Sequence, residues 1–384
     1  MKIFIERKRI LCIFIYCLLA SSYLYPQYQL APVGPILDEP QGFILESLSG
    51  YGYSNTVINT ISNSSGLNPA LIFAHKTFSI GISNQFETRI DLMQDTQYYR
   101  ISALIPQSIC CVMPFRSIRL GLGFHQKYNF GKDFGLFNAT RVDPDSDSGY
   151  AELGTVRLYK EILVYNYTSF IAVPVPKTRD LILGIRINYY QFKWHHIQDP
   201  SLILSESGYP AEQITESEKT DHDVTLSLGL LYDIKNVRLG MYYEQGADFD
   251  DVHGSIPDKL AFGFLVLDIG FLDFHANLNY VFWDKITYII DPINSQIEYS
   301  GHILFHILKS LSSSLGVIHT NYRMQNDELY NIFNTYYNTY YLTFGLIYTY
   351  KNINFDISIA DSHLFSDDMR KNTVFKLGFD VNIM

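Results

Sequence analysis

Tryptophan is nearly missing from this sequence, with 2 among 384 residues, and cysteine is scarce, with 4. Cys12 and Cys17 fall in an apolar leader, while Cys110 and Cys111 are neighbours. Adjacent cysteines rarely form a structural disulfide, and no zinc-ligand spacing surrounds them, which removes a disulfide scaffold and a thiolate metal site. Positive charge is also short. There are 29 Lys and Arg against 39 Asp and Glu, a formal net charge of −10, and an acidic chain argues against a nucleic-acid partner. No segment after the leader holds 18 unbroken apolar residues, which excludes helical membrane spans. No P-loop, zincin helix or dinucleotide fingerprint occurs, so neither a cofactor nor a metal is expected.

Aromatic residues, by contrast, are abundant: 30 Tyr and 26 Phe. Such side chains favour strands and, when amphipathic, membrane interfaces. The first residues read as an export signal. Lys2, Arg7, Lys8 and Arg9 precede the eleven apolar residues Ile10 to Ala20, and Ala20-Ser21-Ser22 offers small residues for cleavage. That run is too short for a spanning helix, which needs ~20 residues. Removal of residues 1–22 would leave 25 basic and 38 acidic residues, a formal charge of −13.

Period-2 alternation recurs through the rest of the chain. Phe274, Ala276, Leu278, Tyr280 and Phe282 alternate with His275, Asn277 and Asn279; Phe375, Leu377, Phe379, Val381 and Ile383 alternate with Lys376, Gly378, Asp380 and Asn382. Alternate strand positions face opposite sides. Strands are predicted near 76–92, 97–106, 117–130, 157–173, 179–195, 221–234, 236–246, 257–268, 270–284, 296–308, 312–322, 338–350, 352–361 and 372–384. Connections sort by parity. Tight turns such as Tyr350-Lys351 alternate with long loops at 131–156, 196–220, 247–256, 285–295, 323–337 and 362–371. That sorting belongs to an outer-membrane barrel, with the short turns periplasmic, and has no counterpart in the rival reading, a soluble all-β sandwich. Trp194 and Trp283, at the outer ends of ascending strands, are expected in an interfacial girdle. The expected fold is all-β: a transmembrane antiparallel β-barrel of about 14 strands over 76–384.

Residues 23–75 do not alternate. They include Gly42-Phe43-Ile44, Ser49-Gly50-Tyr51-Gly52-Tyr53-Ser54-Asn55 and Ser64-Ser65-Gly66-Leu67-Asn68-Pro69-Ala70-Leu71. A stretch this rich in Gly, Ser and Asn cannot face lipid, where its backbone would go unsatisfied, but it could bond to polar wall residues inside a wide lumen. It resembles the N-terminal hatch of the FadL/TodX family of outer-membrane hydrophobe transporters, in which a Gly-rich start and an Asn-Pro-Ala stretch precede strand one. Gly66, Asn68, Pro69 and Ala70 carry the motif, with Leu71 where the family's usual glycine would follow. The resemblance implies fourteen strands, a hatch within the lumen, an outer-membrane location and passive uptake of small hydrophobic molecules such as long-chain fatty acids or aromatics. PorV-like secretion-system barrels share this signature, so the resemblance also admits a scaffold that docks a secretion-system protein partner.

Lumen-facing positions collect Arg119, Lys127, Arg186, His275 and His306 as candidate ligand contacts. The three cations together could hold a carboxylate, although polar lumen residues are also ordinary barrel lining. Phe333, Tyr336 and Tyr337, in the loop 323–337, are candidate extracellular capture groups. Asp143 to Gly149 alternates acids as a calcium loop does, yet Gly149 and Gly154 stand where that pattern fails. Asp221-His222-Asp223 and Asp361-Ser362-His363 admit a rim-sited hydrolase as a further reading, with no recognisable nucleophile beside them. Outer-membrane lipid and a small hydrophobic ligand are the partners expected first, and no enzyme activity is.

Overall fold

The computed structural model describes residues 47–58, 60–91, 96–101, 107–142, 150–176, 178–199, 215–249, 254–285, 295–323, 336–364 and 370–383. The expected signal peptide, the first half of the expected hatch, the loop Asp143 to Gly149 and Phe333 lie outside those residues.

A small hairpin comes first, β1 (Leu48–Ser49) with β2 (Gly52–Tyr53), followed by two 3-10 turns, Ile61–Gly66 and Pro69–Ala74. The wall begins with β3 (Phe78–Asp91), β4 (Thr96–Ile101), β5 (Ser108–Phe115), β6 (Ile118–Val142), β7 (Tyr150–Val175), β8 (Thr178–Asp199), β9 (Thr215–Ile234) and β10 (Val237–Glu244). A separate hairpin, β11 (Ala247–Phe249) with β12 (Gly254–Ile256), interrupts it. The wall then resumes with β13 (Lys259–Ile269), β14 (Leu272–Val281), β15 (Gln296–Leu308), β16 (Leu311–Arg323), β17 (Tyr336–Tyr350), β18 (Ile353–Asp361) and β19 (Arg370–Ile383).

Consecutive wall strands pair antiparallel, and β19 pairs back onto β3 from Ile383↔Phe78 to Arg370↔Asp91, so the sheet closes into a barrel. Closure satisfies every edge, as a strand wall in lipid requires. β4 pairs with β3 at Phe86 to Asp91 and β5 pairs with it at Ser79 to Ser83. The two therefore share one wall position, and the barrel has fourteen.

Alternation sets the two faces. On β8, Leu183, Ile185, Ile187 and Tyr189 are exposed, while Gly184, Arg186, Asn188 and Tyr190 are buried or point inward. The apolar outer face and polar lumen are the reverse of a soluble core, as the bilayer demands. No described helix is long and apolar enough to cross a membrane, a fact that says nothing of strands.

One rim is built from two-residue turns: Arg116-Ser117, Lys235-Asn236, Gly270-Phe271, Lys309-Ser310 and Lys351-Asn352. Arg116, Lys235 and Lys351 hold φ of 54°, 50° and 55°. That left-handed conformation costs an L side chain roughly 1–2 kcal/mol.

The structure extends or corrects several expectations. β5 was not foreseen, because its inward Cys110 and Val112 and its outward Ile109, Cys111 and Met113 leave no polar face to mark the period. The expected loop 131–156 is mostly wall, since β6 runs to Val142 and β7 starts at Tyr150. The expected loop 247–256 carries the β11–β12 hairpin. Neither Trp faces lipid. Trp194 is an even position on a strand whose odd positions point outward, and it packs on an inner apolar cluster; Trp283 is buried and its indole N–H donates to Gln296 Oε1 at 2.7 Å.

Candidate functional site in the barrel lumen

Residues 47–58 and 60–74 lie inside the barrel, and nearly all of them are buried. Wall glycines let them approach. A Cβ on Gly184 would sit 2.2 Å from Ala70 N, and one on Gly229 would sit 1.9 Å from Asn68 Oδ1. Glycine inside a strand marks such a close backbone approach. Asn68 uses the clearance fully. Its amide nitrogen donates to Thr56 O, Leu230 O and Met241 O at 3.1, 2.9 and 3.2 Å, and its Oδ1 accepts from Ala70 N at 3.0 Å. That last bond caps the turn Pro69–Ala74, with Pro69 as its first residue, where a missing N–H does no harm.

Ionisable wall side chains latch the rest of the segment through its backbone. Asp356 Oδ1 accepts from Gly50 N at 2.9 Å. Asp380 accepts from Ile61 N and Ser62 N at 3.1 and 2.8 Å. Arg186 Nη1 donates to Ser65 O and Leu67 O at 2.7 and 2.8 Å, and Arg119 Nε donates to His75 O. Carboxylates thus take the segment's N–H groups and guanidiniums take its carbonyls, charge-assisted bonds stronger than neutral ones. Two stacked imidazoles hold the hairpin. The rings of His275 and His302 lie 4.8 Å apart at 7°. His275 Nε2 meets Tyr51 O at 2.8 Å, and Tyr53 N donates to His302 Nε2 at 3.3 Å. Gly52 lies against His302, with a φ of 103° that suits glycine and no room for a Cβ, which would meet His302 Cδ2 at 2.5 Å.

Toward the long-loop end, Arg186 also joins a buried ionic group centred on Glu244. Lys127 Nζ lies 2.8 Å from Glu244 Oε1, Tyr190 and Tyr242 hydroxyls donate to the same carboxylate at 2.7 and 2.8 Å, and Arg186 Nη2 stands 3.7 Å away. Beyond it an apolar cluster brings together Tyr128, Ile162, Val164, Phe192, Phe249 and Ile256, with Trp194 against it. Phe249 comes from the β11–β12 hairpin and meets Phe192 at 5.0 Å between ring centroids. A buried apolar cluster set beside paired charges has the composition of a site for an apolar molecule with a polar end.

The candidate residues are distributed as follows. Gly66, Asn68, Pro69 and Ala70 are all buried in the inner segment. Arg119, Arg186 and His275 bond to that segment, and Lys127 pairs with Glu244. His306 sits at the short-turn rim, where its Nε2 lies 2.8 Å from Asp273 Oδ2. Tyr336 and Tyr337 open β17 opposite Arg323 and Tyr322. The two carboxylate–histidine motifs do not converge. His222 stacks outward on Tyr189, with Nδ1 2.9 Å from its hydroxyl, whereas His363 Nδ1 lies 2.9 Å from Asp361 Oδ2. β9 and β18 are seven positions apart in the ring of fourteen, on opposite sides. Glu244, Tyr242 and Phe249 were not foreseen, although Tyr242 and Glu244 share the inward phase of Gly240 and a Glu there is a readable signal.

Solved structures share this architecture. A TodX variant described as a monoaromatic hydrocarbon channel superposes with a TM-score of 0.63 at 12% identity, over 89% of this chain and 99% of its own. The chain has the FadL/TodX fold. A FadL homologue of Pseudomonas aeruginosa gives 0.58 at 10% identity over 89% and 100% of the two chains. The toluene transporter TbuX of Ralstonia pickettii gives 0.57 at 12% over 94% and 100%. No family model matches the sequence, and no curated protein matches it.

Proposed function

We propose that the protein is an outer-membrane channel, exported by its N-terminal signal, through which small hydrophobic molecules pass down their gradient. The observation that carries this reading is the buried apolar cluster of Phe192, Phe249 and Trp194, linked through Tyr190 and Glu244 to the Arg186 that holds the inner segment. The hydrocarbon and toluene transport attributed to proteins of the same fold supports it. An apolar molecule enters from the long-loop side, settles against the apolar cluster, and leaves when the inner segment, acting as a hatch, gives way. Each latch is a hydrogen bond that water or a ligand headgroup can replace, so no energy source is required. Arg186 is the residue placed to couple the two events, because one guanidinium contacts the Ser65 and Leu67 carbonyls of the hatch and stands 3.7 Å from Glu244.

The test is uptake by whole cells. The chain is expressed in a double-membrane host stripped of its own hydrophobe channels, its outer-membrane location is checked by fractionation, and entry of labelled oleate and toluene is timed. Faster entry of at least one compound is expected, falling severalfold with Phe249→Asp. Rates equal to the empty-vector control for both compounds would sink the proposal.

A further inference from the structure

The short-turn rim carries charge of the sign the chain otherwise lacks. We infer that this rim is a docking surface for the anionic phospholipid headgroups of the leaflet it faces. The inference rests on the membrane reading above and adds a specific lipid partner to it. Four turns repeat one pattern, an exposed apolar residue followed by an exposed cation: Phe115-Arg116, Ile234-Lys235, Leu308-Lys309 and Tyr350-Lys351. A fifth turn, Gly270-Phe271, replaces the cation with an aromatic side chain that is 64% exposed. Among the described residues none of the four cations is ion-paired with a carboxylate.

Turn geometry does not account for these cations. Arg116, Lys235 and Lys351 occupy left-handed positions that glycine or asparagine would fill with less strain. Asp268 also holds a positive φ of 58° at this rim, but aspartate tolerates that conformation, whereas Arg and Lys break the rule three times, which points to a demand from outside the turn. The neighbouring rings indicate its nature. The Arg116 guanidinium lies 5.8 Å from the Phe115 centroid, and the Lys351 ammonium lies 5.3 Å from that of Tyr350. An exposed ring continuous with the apolar belt, with a cation folded beside it, fits the boundary between acyl chains and headgroups.

Carboxylates at this rim are few. Asp180 and Asp268 are exposed, and Asp233 is engaged by Arg238 at 2.7 Å. Among the described residues the opposite rim mixes signs, with Glu218, Asp248 and Asp284 exposed beside Lys219, whereas four of the short turns each present an exposed cation. A cation adjacent to an anionic leaflet favours that lipid by roughly fivefold, and screening falls away at close contact.

The full chain is inserted in nanodiscs of equal phosphatidylglycerol and phosphatidylcholine, then released for native mass spectrometry to count retained lipids. Retained phosphatidylglycerol should exceed phosphatidylcholine by at least ~10-fold. A variant carrying Arg116→Asn, Lys235→Asn, Lys309→Gln and Lys351→Asn should lose most of that excess. Asparagine suits the left-handed positions, so the variant should still fold, with heat-modifiable migration as the check. A second variant that exchanges Arg and Lys at the four positions should keep the excess. Equal retention by the wild type, or an unchanged excess in the neutral variant, would overturn the lipid site while leaving the channel reading intact. Failure of the wild type to insert at all would overturn both.

Discussion

Asn68 and Gly229 meet at a point where neither tolerates change. Asn68→Ala removes the donor shared by three carbonyls and the cap on Ala70 N, and buried acceptors left unpaired cost about 1–3 kcal/mol. Gly229→Ala places a methyl against Asn68 Oδ1 and Pro69 Cδ, an overpacking of about 1–3 kcal/mol. Each change should lower the thermal midpoint of the purified barrel and expose residues 55–72 to protease. Because both act on one contact, the double variant should lose less than the sum, and strict additivity would refute a shared contact. A titratable group completes the residue scale. Burial, and then the Arg119 cation, hold the His75 imidazole down at about 4 against an ordinary 6.5. The folded protein thus keeps His75 neutral where an undocked histidine would protonate. Its contribution is full above pH 6.5 and is lost as pH falls from 6.5 toward 4. Between pH 7 and pH 5 the wild type should lose on the order of 1 kcal/mol relative to His75→Gln, which cannot charge. Parallel pH profiles of the two unfolding midpoints would refute this.

At the scale of elements, the β11–β12 hairpin and the inner segment make separate contacts with the wall. Phe249 is fully buried against Phe192, and replacing a buried Phe by Ala costs about 3–5 kcal/mol. Phe249→Ala should speed amide exchange across 247–256 and leave 60–74 unchanged; equal acceleration in both would show that they form one cooperative unit. What the sequence revealed at this scale followed one rule, contrast between the two faces of a strand. β8, β14, β18 and β19 face lipid on one side and polar lumen on the other, and their period stands out. β5 packs lipid outside and the turn Ile61–Gly66 inside, with Cys110 and Val112 in the same apolar cluster as Ile61, so both its faces are apolar and the period vanishes. At the site, Asn68-Pro69-Ala70 was legible only through its resemblance to the family's hatch motif, and the cap that Asn68 sets on Ala70 N emerged from the structure. The role of Arg186 was not, because a lumen cation bonds equally well to a ligand carboxylate or a backbone carbonyl, and only the path of residues 65–67 decides between them.

For the whole molecule, the carboxylates that latch the segment come from the last two wall strands, Asp356 on β18 and Asp380 on β19. Asp356→Asn with Asp380→Asn should loosen the hairpin and the turn Ile61–Gly66 together, because each carboxylate acceptor gives way to a neutral amide at a cost of about 1 kcal/mol per bond. Release should appear as trypsin cleavage and as a higher basal uptake of toluene, and unchanged uptake would separate the segment from the conduction path. The pairing of β19 with β3 carries a further consequence. The joint that closes the ring unites residues separated by most of the described chain, and the segment it encloses precedes β3 in the sequence. A joint so distant along the chain is slow to find by chance. Residues 47–58 and 60–74 touch early and late strands alike, so their removal should be felt first as slow or failed assembly rather than as a leak.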